Sequence, residues 1–334
     1  MITSHGFTRR RALSIVAGAA GFCALGAFAP PARMIRWQGE VMGAPAEIAL
    51  WSHSESHARG AIGRIQSEIA RYHRICSLFD GNSEISRLNR DGHLSDASPD
   101  LLALIRESLR LGDLSEGAFD ISVQPIWRVY EAHFWSKQQI APDIAARASE
   151  TARSLVDYRR IEINARRVAF TRGGMAITLN GIAQGFITDR ISDLLRNEGF
   201  DTAFVDLGEM RALGLHPDGR AWRVALRDPA SGNVGSRSID LSDAAIAVSG
   251  GYGTTFEPSG KFHHIFDPRT GASAAGLRDV AVIGPRATAA DGLSTAIYVA
   301  GETKAPRLLA AFPGTRSIVT RADGEMVEIA GATT

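Results

Sequence analysis

Cysteine is nearly absent from this chain. Its 334 residues include 2, Cys23 and Cys76, too few for a disulfide framework or a thiolate metal cluster. If the N-terminal segment is removed, Cys76 stands alone and no internal disulfide can form. Net charge is nearly absent as well. With 37 Lys and Arg against 36 Asp and Glu, the formal charge is +1, which offers no electrostatic argument for a nucleic acid or an acidic partner. There is no internal repeat and no long linker. What the chain does have is 45% hydrophobic content and 34 glycines. The first is enough for a proper core, and the second points to tight turns and close backbone approaches.

The N-terminus reads as a targeting segment over residues 1–32. Thr8-Arg-Arg-Arg-Ala-Leu13 precedes an uncharged run from Ser14 to Ala29, rich in Ala and Gly, with Ala27-Phe-Ala29 as a small-residue cleavage motif. Consecutive arginines before a mildly apolar run resemble a twin-arginine export signal, and the run is too short and Gly-rich for a convincing membrane span. Phe22 stands where a lipobox before Cys23 needs a small residue, so the segment does not read as a lipoprotein anchor. The expected location is the periplasm, with residues 33–334 as the working domain.

Along that domain the patterning mixes helices and strands without a regular alternating unit, which favours an α+β fold. Val41 to Trp51 alternates and reads as a strand that Pro45 confines to an edge or bulge. Ile62, Ile65, Ile69, Tyr72 and Cys76 follow a three-four spacing, a helix with Cys76 in the core. Ser98 caps a second amphipathic helix beginning at Pro99. Phe119 to Val123 reads as a strand ended by Pro125, and Lys137 to Arg153 as a peripheral helix. Ile161-Glu-Ile-Asn and Val168-Ala-Phe-Thr form a hairpin. From Asn180, as N-cap, a helix buries Ile182, Phe186, Ile187, Ile191, Leu194 and Leu195 and stops at Gly199. Gly181 and Gly185 leave its start bare, so that either a phosphate reaches the first N–H groups or a neighbouring element packs close. Further strands follow around Gly208-Glu209, at Trp222–Arg227 and at Ala245–Val248. A hairpin from Ser317 to Ala330 turns at Asp323-Gly324.

The stretch from Lys261 to Gly301 carries the densest chemistry. A polar loop holds His263, His264, Asp267, Arg269 and Thr270, a strand covers Asp279–Gly284, and a helix follows from Thr288. Asp291 and Thr295, four residues apart, share one side of that helix and could hold a hard cation such as Mg²⁺. Thr288 with Asp291 is equally a capping box, a far commoner use of such spacing.

Five segments together resemble the ApbE family of FAD:protein FMN transferases. They are Ser83-Glu-Ile-Ser-Arg-Leu-Asn89, Gly117-Ala-Phe-Asp-Ile-Ser-Val-Gln-Pro125, Asn180-Gly-Ile-Ala-Gln-Gly185, His264-Ile-Phe-Asp-Pro-Arg-Thr-Gly271 and Ala290-Asp-Gly-Leu-Ser-Thr295. The resemblance runs from Met42 to Gly301 and implies mixed sheets with flanking helices, in two lobes around a flavin cleft. It implies FAD contacts at Met42, Phe79, Ala118, Phe119, Asp120, Thr178, Gln184 and Ile265. It also implies Mg²⁺ on the Gly181 carbonyl, Asp291 and Thr295, with His264 beside the reacting phosphate. The implied reaction moves FMN from FAD to a threonine hydroxyl of an acceptor flavoprotein and releases AMP. One setting of exported relatives is nitrous oxide respiration. Thr178 stands where the family carries an acid, Gln184 where it carries a lysine, and Glu209-Met210 where it tends to show Gly and a small polar residue. Two other functions stay open: non-catalytic flavin binding, motivated by Thr178 and Gln184, and hydrolysis of FAD to FMN and AMP, which the resemblance also allows.

Overall fold

The computed structural model describes residues 32–135, 142–227 and 234–331; the export-signal reading falls outside them, apart from residue 32. In chain order the strands are β1 (Arg33–Val41), β2 (Ala44–Ser52), β3 (His93–Leu94), β4 (Ile161–Asn164), β5 (Arg167–Phe170), β6 (Ala203–Asp206), β7 (Met210–Leu213), β8 (Trp222–Arg227), β9 (Val234–Leu241), β10 (Ala245–Gly250), β11 (Leu277–Gly284), β12 (Arg316–Arg321) and β13 (Met326–Ala330). The helices are α1 (Glu55–Cys76), α2 (Glu84–Asp91), α3 (Pro99–Leu114), α4 (Gln124–Trp135), α5 (Pro142–Ser154), α6 (Ala183–Asn197), α7 (Ala287–Ala300) and α8 (Ala305–Ala310). None is long and apolar enough to cross a membrane, among the described residues.

An eight-stranded sheet in the order β1-β2-β6-β7-β10-β11-β12-β13 forms the frame, antiparallel at every pairing. The period-two alternation of its strands separates two apolar faces. Ile48, Leu50, Val205, Ala247, Val280 and Val282 enter the main core beneath the helices. Phe204, Met210, Ile246, Ala281 and Ile283 pack on the other side against Trp222, Val224, Ile239 and Leu241 of the β8–β9 ribbon. A three-stranded sheet, β3-β5-β4, stands apart.

Local chemistry explains most element boundaries. Ser54, Ser83 and Ser98 each accept a backbone N–H at the start of α1, α2 and α3. Cys76 is a core residue as expected, and burial pushes its thiol up to about 12. Two expectations fail at turns. Val41 ends β1 rather than opening a long strand, because Met42 and Gly43 adopt φ of 51° and 77° and reverse the chain. Pro45 therefore lies on an interior strand, yet near its start, where it faces Glu40; β6 pairs only with Glu47–Leu50 and never needs the missing N–H. Phe119–Val123 is not a strand either. The Asp120 carboxylate accepts the Ser122 N–H, Ile121–Val123 closes into a 3₁₀ turn, and Pro125 sits in the first turn of α4, where its ring is harmless.

Candidate active site

Helices α6 and α7 lie antiparallel, and three successive contacts set their register. Asp189 on α6 accepts the Ala287 and Thr288 N–H groups at the start of α7, each at 2.9 Å. One turn along, the Gly185 N–H donates to Asp291 Oδ2 at 2.9 Å. One further turn along, Gly181 lies against Thr295: a β-carbon on Gly181 would stand 3.2 Å from Thr295 Oγ1. Each step moves four residues in both segments, as two antiparallel helices in fixed register require. Gly185 makes this approach possible, since a β-carbon there would collide with the Ala287 carbonyl and stand 2.7 Å from Asp291 Cβ.

Two expectations are corrected by this arrangement. Thr288 and Asp291 do not form a capping box. The cap of α7 comes from Asp189, which also accepts the Thr288 hydroxyl at 2.6 Å, while Asp291 lies a full turn further in. Asn180 is not the N-cap of α6 either. The helix begins at Ala183, after a turn in which the Ala183 N–H donates to Leu179 O. With that donor and the Gly185 N–H engaged within the protein, the helix start is not an open phosphate cradle. Gly185 serves close packing, against a helix rather than a strand.

Around Asp291 and Thr295 the surroundings are small and polar. Ser249, the penultimate residue of β10, lies 3.0 Å from Thr295 Oγ1 and 2.7 Å from Ser294 Oγ. On the other side, the Phe119 ring would stand 3.3 Å from a β-carbon on Gly181. The Thr178 N–H donates to Ile121 O at 2.8 Å and ties this segment to the residue that follows the Ala118–Asp120 strip. Asp120 accepts the Ser122 hydroxyl and N–H and the Tyr158 N–H, yet burial outweighs these bonds and pushes its carboxyl up to about 6. The donor set on this part of α7, a buried Asp291 carboxylate one turn from the Thr295 hydroxyl, with the side-chain-free Gly181 against Thr295, suits a hard divalent ion. No group of three His, Cys, Asp or Glu converges among the described residues. A site with one carboxylate fits Mg²⁺, which keeps waters and draws on substrate phosphates for its other ligands.

The histidine loop joins this cluster through the end of β10. From Ser249 the backbone reaches Gly251, whose N–H bonds to the Tyr298 hydroxyl on α7, and Gly253, which lies under the His264 ring. His264 Nδ1 lies 3.1 Å from Thr254 O. A carbonyl can only accept, so Nδ1 carries the proton and Nε2 is the basic nitrogen of the neutral ring. His263 is turned inward: its Nε2 meets Ala274 O at 2.9 Å, and burial holds its pKa below the usual value. Ile265 is buried behind the pair, with its N–H on His263 Nδ1.

The structure thus brings together Gly181, Asp291, Thr295, Phe119 and, through backbone bonds, Thr178. His264 and Ile265 adjoin them, and the buried Ala118 and Gln184 lie next in sequence to Phe119 and Gly185. The other two expected flavin contacts lie on turns. Met42 is half-buried in the β1–β2 turn against the main core, and Phe79 is 89% exposed on the loop between α1 and α2. Ser249 and Asp189 were missed. Ser249 had a signal, since it opens the glycine-rich sequence Ser249-Gly-Gly-Tyr-Gly253, but Asp189 looks like any polar residue of an amphipathic helix.

The sequence model of the ApbE family matches residues 42–319. The chain belongs to that family. Among curated proteins it is similar to the FAD:protein FMN transferase of Treponema pallidum, 30% identical over 315 residues, covering 87% of this chain and 85% of the relative. It is likewise similar to that of Vibrio cholerae, 30% identical over 292 residues, covering 82% and 84%. Among solved structures, the flavin transferase ApbE from Vibrio cholerae superposes with a TM-score of 0.75 at 27% identity, over 90% of this chain and 98% of that one. The apo Pseudomonas stutzeri flavinyl transferase gives 0.74 at 25%, over 92% and 96%. The mixed fold expected from the sequence is the fold of these transferases.

Proposed function

We propose that this protein is a Mg²⁺-dependent FAD:protein FMN transferase that acts in the periplasm and releases AMP. The observation that carries this reading is the convergence of Gly181, Asp291 and Thr295 where α6 meets α7, in a chain whose relatives bear that activity in their names. The export location rests on the arginines at Arg9, Arg10 and Arg11 before an uncharged apolar run.

In this reaction the acceptor's threonine oxygen attacks the phosphorus of the FMN half. The bond from that phosphorus to the bridging oxygen breaks, and AMP leaves with that oxygen. Asp291, Thr295 and the Gly181 carbonyl would hold Mg²⁺, which supplies neutralisation of the diphosphate's charge. His264 takes the threonine proton at Nε2, because the Thr254 carbonyl fixes its other nitrogen as the donor. Ala118, Phe119, Asp120, Thr178, Gln184 and Ile265 line the flavin side, with Met42 and the exposed Phe79 as its outer contacts.

Thr178 and Gln184 favour a second reading, in which the protein binds FAD without transferring it; hydrolysis of FAD is the other alternative. One incubation separates them. With FAD, Mg²⁺ and a threonine-bearing acceptor domain, transfer gives FMN that stays with the acceptor after denaturation, plus AMP. Free FMN with AMP would mean hydrolysis, and unchanged FAD would mean binding alone.

A further inference from the structure

We infer that Asp189 is a positioning residue for the Asp291–Thr295 site, setting the register in which α7 presents both side chains. This rests on the metal reading above. The Asp189 carboxylate is 1% exposed and accepts three hydrogen bonds from the first turn of α7: the Ala287 N–H, the Thr288 N–H and the Thr288 hydroxyl. Arg211 of β7 holds the same carboxylate at 2.7 Å, itself 3% exposed along its side chain, and Arg286 approaches at 3.2 Å. Two arginines, both shared with Asp193, thus anchor a carboxylate that grips a helix start, where a negative charge is favoured.

The consequence for the site is geometric. Asp189 and Ala287, Gly185 and Asp291, and Gly181 and Thr295 are successive contacts of one antiparallel pair, each one turn from the next. Only the Asp189 contact is multiply bonded and paired with cations; Gly185 adds a single hydrogen bond to Asp291, and Gly181 adds close approach alone. A slip of α7 by one residue would rotate Asp291 by about 100° and shift it about 1.5 Å along the axis. A metal site tolerates far less. Asp189 therefore acts through α7, without touching metal or substrate.

The experiment measures Mn²⁺ binding by electron paramagnetic resonance in the presence of FAD, for the full-length wild type, Asp189→Asn, Thr288→Ala and Asp291→Ala. Asp189→Asn keeps the shape but turns one acceptor into a donor facing donors. It is expected to weaken Mn²⁺ affinity at least tenfold and to raise the Mn²⁺ needed for half-maximal transfer in parallel. FAD affinity without metal should stay within twofold, a split that loss of fold alone would not produce. Thr288→Ala, which removes one bond of the three, is expected to weaken Mn²⁺ about threefold. A folded Asp189→Asn with wild-type Mn²⁺ affinity overturns the positioning role and leaves the metal reading standing. If Asp189→Asn does not fold, unchanged Mn²⁺ affinity in Thr288→Ala overturns it and a loss supports it. A wild type that binds no Mn²⁺, or binds it no better than Asp291→Ala, overturns the metal reading and this inference with it.

Discussion

The two parts of the candidate site are built on different physical plans. The Asp291–Thr295 part lies between two packed helices, with contact spacing set by a charged cap and by glycines that admit close approach. The His264 part is a loop with little regular structure, held by isolated bridges from Thr255 to His263 and from Phe266 to Ser273. That loop rests on a separate aromatic cluster, in which Phe256 and Phe266 are buried against Tyr130 and Trp127 of α4. A helix pair defines position to fractions of an ångström, as the proposed ion coordination would demand. A loop seated on rings can adjust, which fits the role proposed for His264 towards an acceptor hydroxyl.

The contrast is best broken at its chemical extremes. Asp291→Ala should remove transfer by about a thousandfold or more, because it deletes the one carboxylate of the helix-pair site; AMP release and acceptor-bound FMN both report it, and wild-type activity in this variant would refute the metal assignment. His264→Gly should slow transfer by roughly a hundredfold, the usual range for a lost general base, with FAD affinity little changed. Should FAD binding collapse while turnover of bound FAD is kept, the loop is a binding element and the contrast disappears.

Two smaller effects sharpen it. Gly185→Ala should destabilise the fold by about 2 kcal/mol, since its β-carbon meets a backbone carbonyl and not a flexible side-chain end; urea unfolding measures this. Asp120 predicts a pH dependence. Its folded pKa of about 6 lies above the usual carboxylate value, so the folded state binds the extra proton. The stability this contributes is complete below about pH 4 and is lost as pH rises through 6. Thermal midpoints of the wild type should fall across that window relative to Asp120→Asn.

Much of the fold was legible because its signals are local. Ser98 before Pro99, the three-four spacing of Ile65, Ile69, Tyr72 and Cys76, and Asp323-Gly324 between alternating strands each define an element within a dozen residues. The errors came where one local pattern serves two structures. Phe119–Val123 alternates like a strand, yet the Asp120 side chain captures the Ser122 N–H and bends it into a turn. Thr288 and Asp291 carry the spacing of a cap, yet the cap arrives from Asp189, 98 residues away.

The sequence alone determined what depends on neighbours along the chain: the amphipathic helices, the turns, the pairing of Asp291 with Thr295 on one helix side, and the five segments that carry the family resemblance. Tertiary structure decided what depends on residues far apart meeting in space. It made Gly185 a packing glycine rather than an open phosphate cradle, placed Ser249 beside Thr295, and gave the start of α7 to a carboxylate on α6. Hydrogen bonds and close contacts act over about 3 Å whatever the separation in sequence, so such partnerships leave no periodic trace to read.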